Sequence, residues 1–174
     1  MHVVNVHHRL LHASPARVSE LLASLGSPDD GLWPRNGWPR MRLDGPVDTG
    51  AAGGHGPIRY RVEAWQPGRL VRFRFAGMRG VDGWHAFEIL DATPHHCVLE
   101  HRMEARLTGM AVLRWAFLIR PLHDACVEDA LSQAQASLGE TPRAVPWSPV
   151  VRLLMRWLSR GGRGRGGRKP HAPA

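Results

Sequence analysis

Between Pro121 and Leu138 the apolar positions Leu122, Cys126, Val127, Ala130, Leu131, Ala134 and Leu138 recur at helical spacing and fill one broad arc. Asp124, Glu128, Ser132 and Gln135 fill the other side. The spacing predicts a single helix of about five turns. Pro121 suits its first position, and Gly139 suits the residue just past its end. His123 falls within the apolar arc.

Upstream the pattern changes to alternation, the mark of half-buried strands. Residues 2–12 read as a first strand. Ser14 then caps a short helix that opens on Pro15, carries the stripe Val18, Leu21, Leu22 and Leu25, and ends at Gly26. Residues 57–76 read as a hairpin around a type II turn, Gln66-Pro67-Gly68-Arg69. Closing that turn pairs Ala64 with Val71, Val62 with Phe73 and Tyr60 with Phe75 on one side. Arg59, Arg61, Glu63, Arg72 and Arg74 take the other. A second hairpin joins residues 84–90 to 97–107. Cys97, Leu99, His101, Met103, Ala105 and Leu107 share one of its faces, with His85, Phe87 and Ile89 on the partner strand. Pairing Ile89 with Cys97 sets His85 opposite His101. Residues 110–119 read as a last strand, with Leu113, Trp115, Phe117 and Ile119 inward.

Breakers punctuate the rest. Residues 27–40 contain two Trp-Pro pairs and read as irregular; Trp33 and Trp38 either lid a cavity or pack the segment onto the domain. Residues 41–44 suit a short strand. Residues 50–56, GAAGGHG, read as a glycine-rich loop. It lacks the Gly-Lys-Ser/Thr ending and following helix of a phosphate loop. The order is strand, helix, a run of strands, then a long helix. It predicts an α+β fold, with the helices segregated from an antiparallel sheet.

Charge adds a division. Residues 1–142 hold 15 Arg and 15 acidic residues, which cancel; the formal net charge of +8 therefore belongs to the seven Arg and one Lys between Arg143 and Lys169. The two cysteines, Cys97 and Cys126, fall on apolar faces and read as buried free thiols rather than a disulfide framework. The opening MHVVNVHH lacks the apolar segment of a signal peptide, and no apolar run approaches the ~20 residues of a membrane span. A cytoplasmic location is expected.

The opening VVNVHHRLLHASPARVSELLASL, the hairpin GPIRYRVEAWQPGRLVRFRF, the strands DGWHAFEI and CVLEHRMEARL, and the terminal PLHDACVEDAL together resemble the START-like, or SRPBCC, superfamily of polyketide cyclases, dehydrases and pollen-allergen proteins. The likeness covers about residues 2–138. It implies a helix-grip fold, in which a curved antiparallel sheet wraps a long C-terminal helix and keeps a ligand cavity between them. It implies no single active site, because the superfamily has none.

Tyr60, Val62, Phe73, Phe75, Phe87, Leu99, Met103 and Trp115 are the expected inward set and the expected contacts of a hydrophobic, lipid- or polyketide-like ligand. His85, His101 and His123 also face inward. Imidazoles in an apolar pocket suit general acid–base work on a carbonyl-bearing ligand, with Tyr60 orienting the carbonyl. Binding without catalysis is the leading expectation and a cyclase- or dehydratase-type enzyme the alternative. His123 and Asp124, adjacent on a helix, point about 100° apart and do not pair. A three-histidine metal site requires all three rings to converge, and their spacing matches no metal motif, so no metal or cofactor is expected.

Past the domain (residues 1–140), residues 141–149 form a proline-rich linker. Residues 150–160 read as an amphipathic helix, with Arg152, Arg156 and Arg160 on one side. Residues 161–174 read as a disordered Gly/Arg-rich tail. The basic stretch 150–169 suits docking on the domain, an anionic membrane surface, or nucleic acid through its phosphates.

Overall fold

The computed structural model describes residues 1–163; the rest of the expected Gly/Arg-rich tail, residues 164–174, lies outside the described residues. Seven strands form one antiparallel sheet: β1 (His2–Leu11), β2 (Arg42–Leu43), β3 (Ala52–His55), β4 (Ile58–Gln66), β5 (Leu70–Phe75), β6 (Val81–Leu90) and β7 (Cys97–Leu107). Their spatial order is β1-β7-β6-β5-β4-β3-β2. Helix α1 (Pro15–Ser24) follows β1. A long terminal helix follows β7, built from α2 (Met110–Arg114), a π-helical turn (Trp115–Ile119) and α3 (Arg120–Ser137). The fold is the helix grip, an open antiparallel sheet closed by its C-terminal helix. A last helix, α4 (Pro149–Arg163), packs on α3.

Two apolar clusters of buried residues lie between sheet and helices. The larger joins Val18 and Leu22 of α1, and Leu25 just past its end, to Tyr60, Val62, Phe73, Phe87 and Leu99 of the sheet and to Val127, Ala130 and Leu131 of α3. The smaller joins Val3, Met103, Ala105 and Leu107 to Ala111 and Trp115. Burial of this much apolar surface drives the fold. Cys97 and Cys126 are buried free thiols, as expected.

The type II turn forms as read: Arg69 N–H donates to Gln66 O at 3.0 Å, and Gly68 takes φ +85°. Tyr60 opposes Phe75 and Val62 opposes Phe73, but a β-bulge between Val62 and Ala64 shifts the rest. Ala64 therefore faces Arg72, and Trp65 takes Val71. The second hairpin is offset by two residues from the expected pairing. Ile89 meets Leu99, so Met103 lies opposite His85 and Phe87 opposite His101. An offset of two keeps every side chain on its face, which is why the inward set survives.

Two elements differ in kind. Residues 110–119 are helical, not a strand. The whole stretch is apolar apart from Arg114, so period 2 is satisfied by chance. Gly109, at φ +55°, turns the chain out of β7, and Ala111 and Trp115, one turn apart, then face the core. Leu113 and Phe117 are exposed, Phe117 at 74%. Pro121 accordingly lies within a continuing helix. It follows the wider π turn, where Arg120 N–H reaches back to Trp115 O, and there it has no N–H to satisfy. Residues 52–55 of the glycine-rich stretch pair as β3 between β2 and β4. A Cβ on Gly54 would run into Ile58 O, so glycine here permits close backbone approach.

Candidate functional site

Strand β1 builds one wall of the site. Its outward positions Val4, Val6, His8 and Leu10 are exposed, whereas Asn5, His7 and Arg9 turn toward α3. The side of α3 that reads as solvent-facing is therefore covered. Asn5 Nδ2 donates to Asp124 Oδ1 at 2.8 Å. Arg9, 6% exposed, donates to Glu128 Oε2 at 2.8 Å and to Gln135 Oε1 at 2.6 Å. His7 sits between two carboxylates, Nδ1 2.7 Å from Glu128 Oε1 and Nε2 3.3 Å from Asp124 Oδ1. A helical wheel shows which side of a helix is polar but not that a strand brings polar partners to it. The signal was in β1, whose polar residues Asn5, His7 and Arg9 recur at every second position.

The expected histidines continue from this wall into the core. His7 and His101 are direct cross-strand partners. The His101 Nε2 atom lies 3.4 Å from His85 Nδ1. The ring centres of His101 and His123 are 5.1 Å apart, and those of His123 and His7 are 6.4 Å apart. His85 stacks on Phe73 and Phe75; Phe87 meets His101 edge-on, and Trp115 lies 5.8 Å from His123. The histidines thus form a polar seam whose flanking rings come from both apolar clusters. On the far side Tyr60 touches His85, and its hydroxyl lies 3.3 Å from Nδ1 of His55, a residue that the sequence pattern hid in the glycine-rich stretch. Trp33 packs on His55, and Trp38 Nε1 donates to Asp129 Oδ2 at 2.8 Å, so both tryptophans fasten residues 27–40 to the domain.

The expected ligand contacts Tyr60, Val62, Phe73, Phe87, Leu99, Met103 and Trp115 are all buried, and Phe75 is partly buried. Burial sets the electrostatics. It holds the imidazoles of His85 and His101 well below their ordinary range, aided by the other histidines, and pushes His55 down to about 4. It lowers His123 too, with Asp124 opposing. His7 is raised, first by its bond to Asp124 and then by Glu128, against burial. Burial alone would raise Asp124, but His123, His7 and Asn5 hold it well below the usual carboxylate range. Burial raises the Tyr60 phenol, which stays a hydroxyl donor. The seam is neutral inside and ends at β1 on His7, held between the Asp124 and Glu128 carboxylates. Although adjacent on a helix, His123 and Asp124 do come together, against the sequence expectation: His123 Nδ1 and Asp124 Oδ1 stand 3.8 Å apart, within ion-pair reach but beyond a hydrogen bond. Two seam nitrogens, His101 Nδ1 and His123 Nδ1, are buried without a partner.

No family model and no curated protein matches the sequence. Solved structures do match the fold. Norcoclaurine synthase from Thalictrum flavum, as a point mutant with a transition-state analogue, aligns at 15% identity with a TM-score of 0.61, over 80% of this chain and 96% of that one. A protein from Thermobifida fusca aligns at 11% identity and a TM-score of 0.61, covering 82% and 99%. CalU16 from Micromonospora echinospora aligns at 11% identity and 0.56, covering 92% and 86%. The chain has the helix-grip fold that these structures share. Among the described residues no helix is long and apolar enough to cross a membrane.

Proposed function

We propose that the domain binds a hydrophobic small molecule carrying an oxygen function, held between the sheet and the terminal helix against the histidine seam. The observation that carries this reading is His101 Nδ1, a buried imidazole nitrogen with no partner amid Phe87, His85 and His123. Leaving such a group unpaired costs about 1–3 kcal/mol, which a ligand hydroxyl or carbonyl recovers through one hydrogen bond. The apolar side chains around it suit the rest of the molecule. Norcoclaurine synthase, a neighbour in fold, has also been solved with dopamine and hydroxybenzaldehyde, both small aromatic molecules with oxygen functions. A thermal-shift screen of aromatic and polyketide-like compounds tests the reading. A hit on the native chain that disappears in His101→Phe supports it. An equal shift in both proteins contradicts it.

One observation favours catalysis on that ligand. Neutral His85 and His101 lie in contact, and His123 packs against His101 with Asp124 3.8 Å beyond it. Neutral imidazoles can take up a proton from a carbon acid or hydroxyl and return it, the chemistry of an aldol closure or dehydration. Replacing any one of His85, His101 or His123 by alanine then lowers turnover about 100-fold or more in a chain that still melts cooperatively. Retained turnover in all three variants excludes the enzyme reading.

The tail gives the domain a second partner, an anionic membrane surface. Helix α4 has three sides. Val151 is buried and Trp147, just before the helix, donates to Asp129 at 2.8 Å. Val150, Leu153, Trp157 and Leu158 are exposed, and exposed Arg152 and Arg156 border them. Exposed apolar groups beside arginines suit the headgroup region of a bilayer.

A further inference from the structure

The outer end of the seam carries a different chemistry. His7, His123 and Asp124 each offer one donor atom, and the three atoms lie within 4.8 Å of one another. We propose that these three residues bind one divalent first-row transition-metal ion of the zinc class, at the junction of β1 and α3. The proposal shares His123 with the ligand reading, but its test needs no organic molecule.

Four features point to a cation. The donor set is two imidazoles and a carboxylate, which suits zinc and its neighbours rather than calcium or magnesium. The spacing is close to that of ligands around one ion. His7 Nε2 and His123 Nδ1 lie 3.3 and 3.8 Å from the same Asp124 Oδ1. Donors bonded at about 2.0–2.2 Å to a shared ion stand roughly 3–3.5 Å apart, so small side-chain rotations close the site. His123 Nδ1 is buried with no hydrogen-bond partner, which leaves that nitrogen uncommitted.

The fourth feature is the support behind the donors. Glu128 accepts from His7 Nδ1–H, which fixes the ring and presents Nε2 to the ion. Arg9 holds Glu128 in turn, and Asn5 holds Asp124. Asn5 Oδ1 is itself buried and unpartnered, a further oxygen beside the site. The donors sit on a strand and a helix rather than on loops, so their geometry is set by the fold. Asp124 has a side-chain exposure of 36%, which leaves a path from solvent.

The test is titration of the untagged, metal-stripped full chain with zinc by calorimetry, and with cobalt followed by its visible absorption. The expected result is one ion per chain, with tetrahedral-type cobalt bands. Asp124→Asn, nearly isosteric, and His123→Gln each weaken binding by at least about 100-fold and abolish the bands. Glu128→Gln weakens it about 10–100-fold. His8→Ala, one residue along β1 on its exposed side, leaves it unchanged. Binding with unchanged affinity and spectrum in Asp124→Asn and His123→Gln overturns the proposal, as does the absence of stoichiometric binding.

Discussion

At the scale of single residues, Arg9 is a heavily committed side chain. It is buried and serves Glu128, Gln135 and the carbonyl of Arg143 at once. Removing it takes one donor each from Glu128, which keeps His7, and from Gln135 Oε1, which keeps Arg143 N–H. Arg9→Ala is expected to lower the unfolding free energy by about 3 kcal/mol in urea denaturation, and Arg9→Met by less, because methionine refills the volume. The seam histidines make stability depend on pH with a definite sign. His55, His85, His101 and His123 have folded values below the unfolded 6.5. Below pH 6.5 the unfolded chain therefore binds more protons, and stability falls as the pH drops from 6.5 toward about 4, where His55 itself titrates in the folded state. His7 works the other way. Its value is raised, so its contribution is complete below pH 6.5 and is lost as pH rises through the folded value. Asp124, held low, contributes above its unfolded 3.8 and loses that contribution under stronger acid. Four lowered imidazoles outweigh one raised one. The melting temperature should fall between pH 6.5 and 4, and His101→Phe should flatten that fall. A flat profile in the native chain contradicts the neutral seam.

At the scale of elements, the terminal helix shows best what the sequence could and could not say. Its second half was legible, because seven apolar positions at helical spacing over Pro121–Leu138 fit no strand. Its first half was not, because MAVLRWAFLI satisfies both periods. The structure separates the two by exposure, and so does mutation. Phe117→Ser should change stability by under about 0.5 kcal/mol, since Phe117 faces water. Phe73→Ala, at a fully buried position, should cost about 3–5 kcal/mol. A large cost at Phe117 would argue for the strand. The inward faces of β4–β7 were also legible, because alternation fixes a face even when the register is two residues out. The same alternation places His85 and His101 inward. Their true contact is diagonal, and the bulge at Val62/Ala64 left no mark in the sequence. His7 and Glu128 escaped notice for a physical reason. Polar residues on a strand and on a helix read as solvated when each element is considered alone, and only the docking of β1 on α3 turns them into a buried network.

At the scale of the whole molecule, a charge-balanced domain carries a basic extension. The carbonyl of Arg143 accepts from Arg9 and Ser132, and Trp147 bonds to Asp129, so residues 141–147 belong mechanically to the domain. The chain ended after Ser148 keeps those contacts and loses α4 with its exposed Leu153 and Trp157. It should melt close to the full chain and lose binding to anionic vesicles. Vesicle binding that survives this truncation places the membrane contact on the domain instead. Retention on RNA that falls steeply with salt would assign the basic tail to phosphate backbones.

The most direct measurement of the central claim is native mass spectrometry of the purified chain, followed by denaturing extraction of whatever it holds. A single hydrophobic, oxygen-bearing compound bound one to one, and lost in His101→Phe, is the predicted result. A chain that flies at its bare mass, and gains none when offered aromatic or polyketide-like compounds, would contradict a ligand site on the histidine seam.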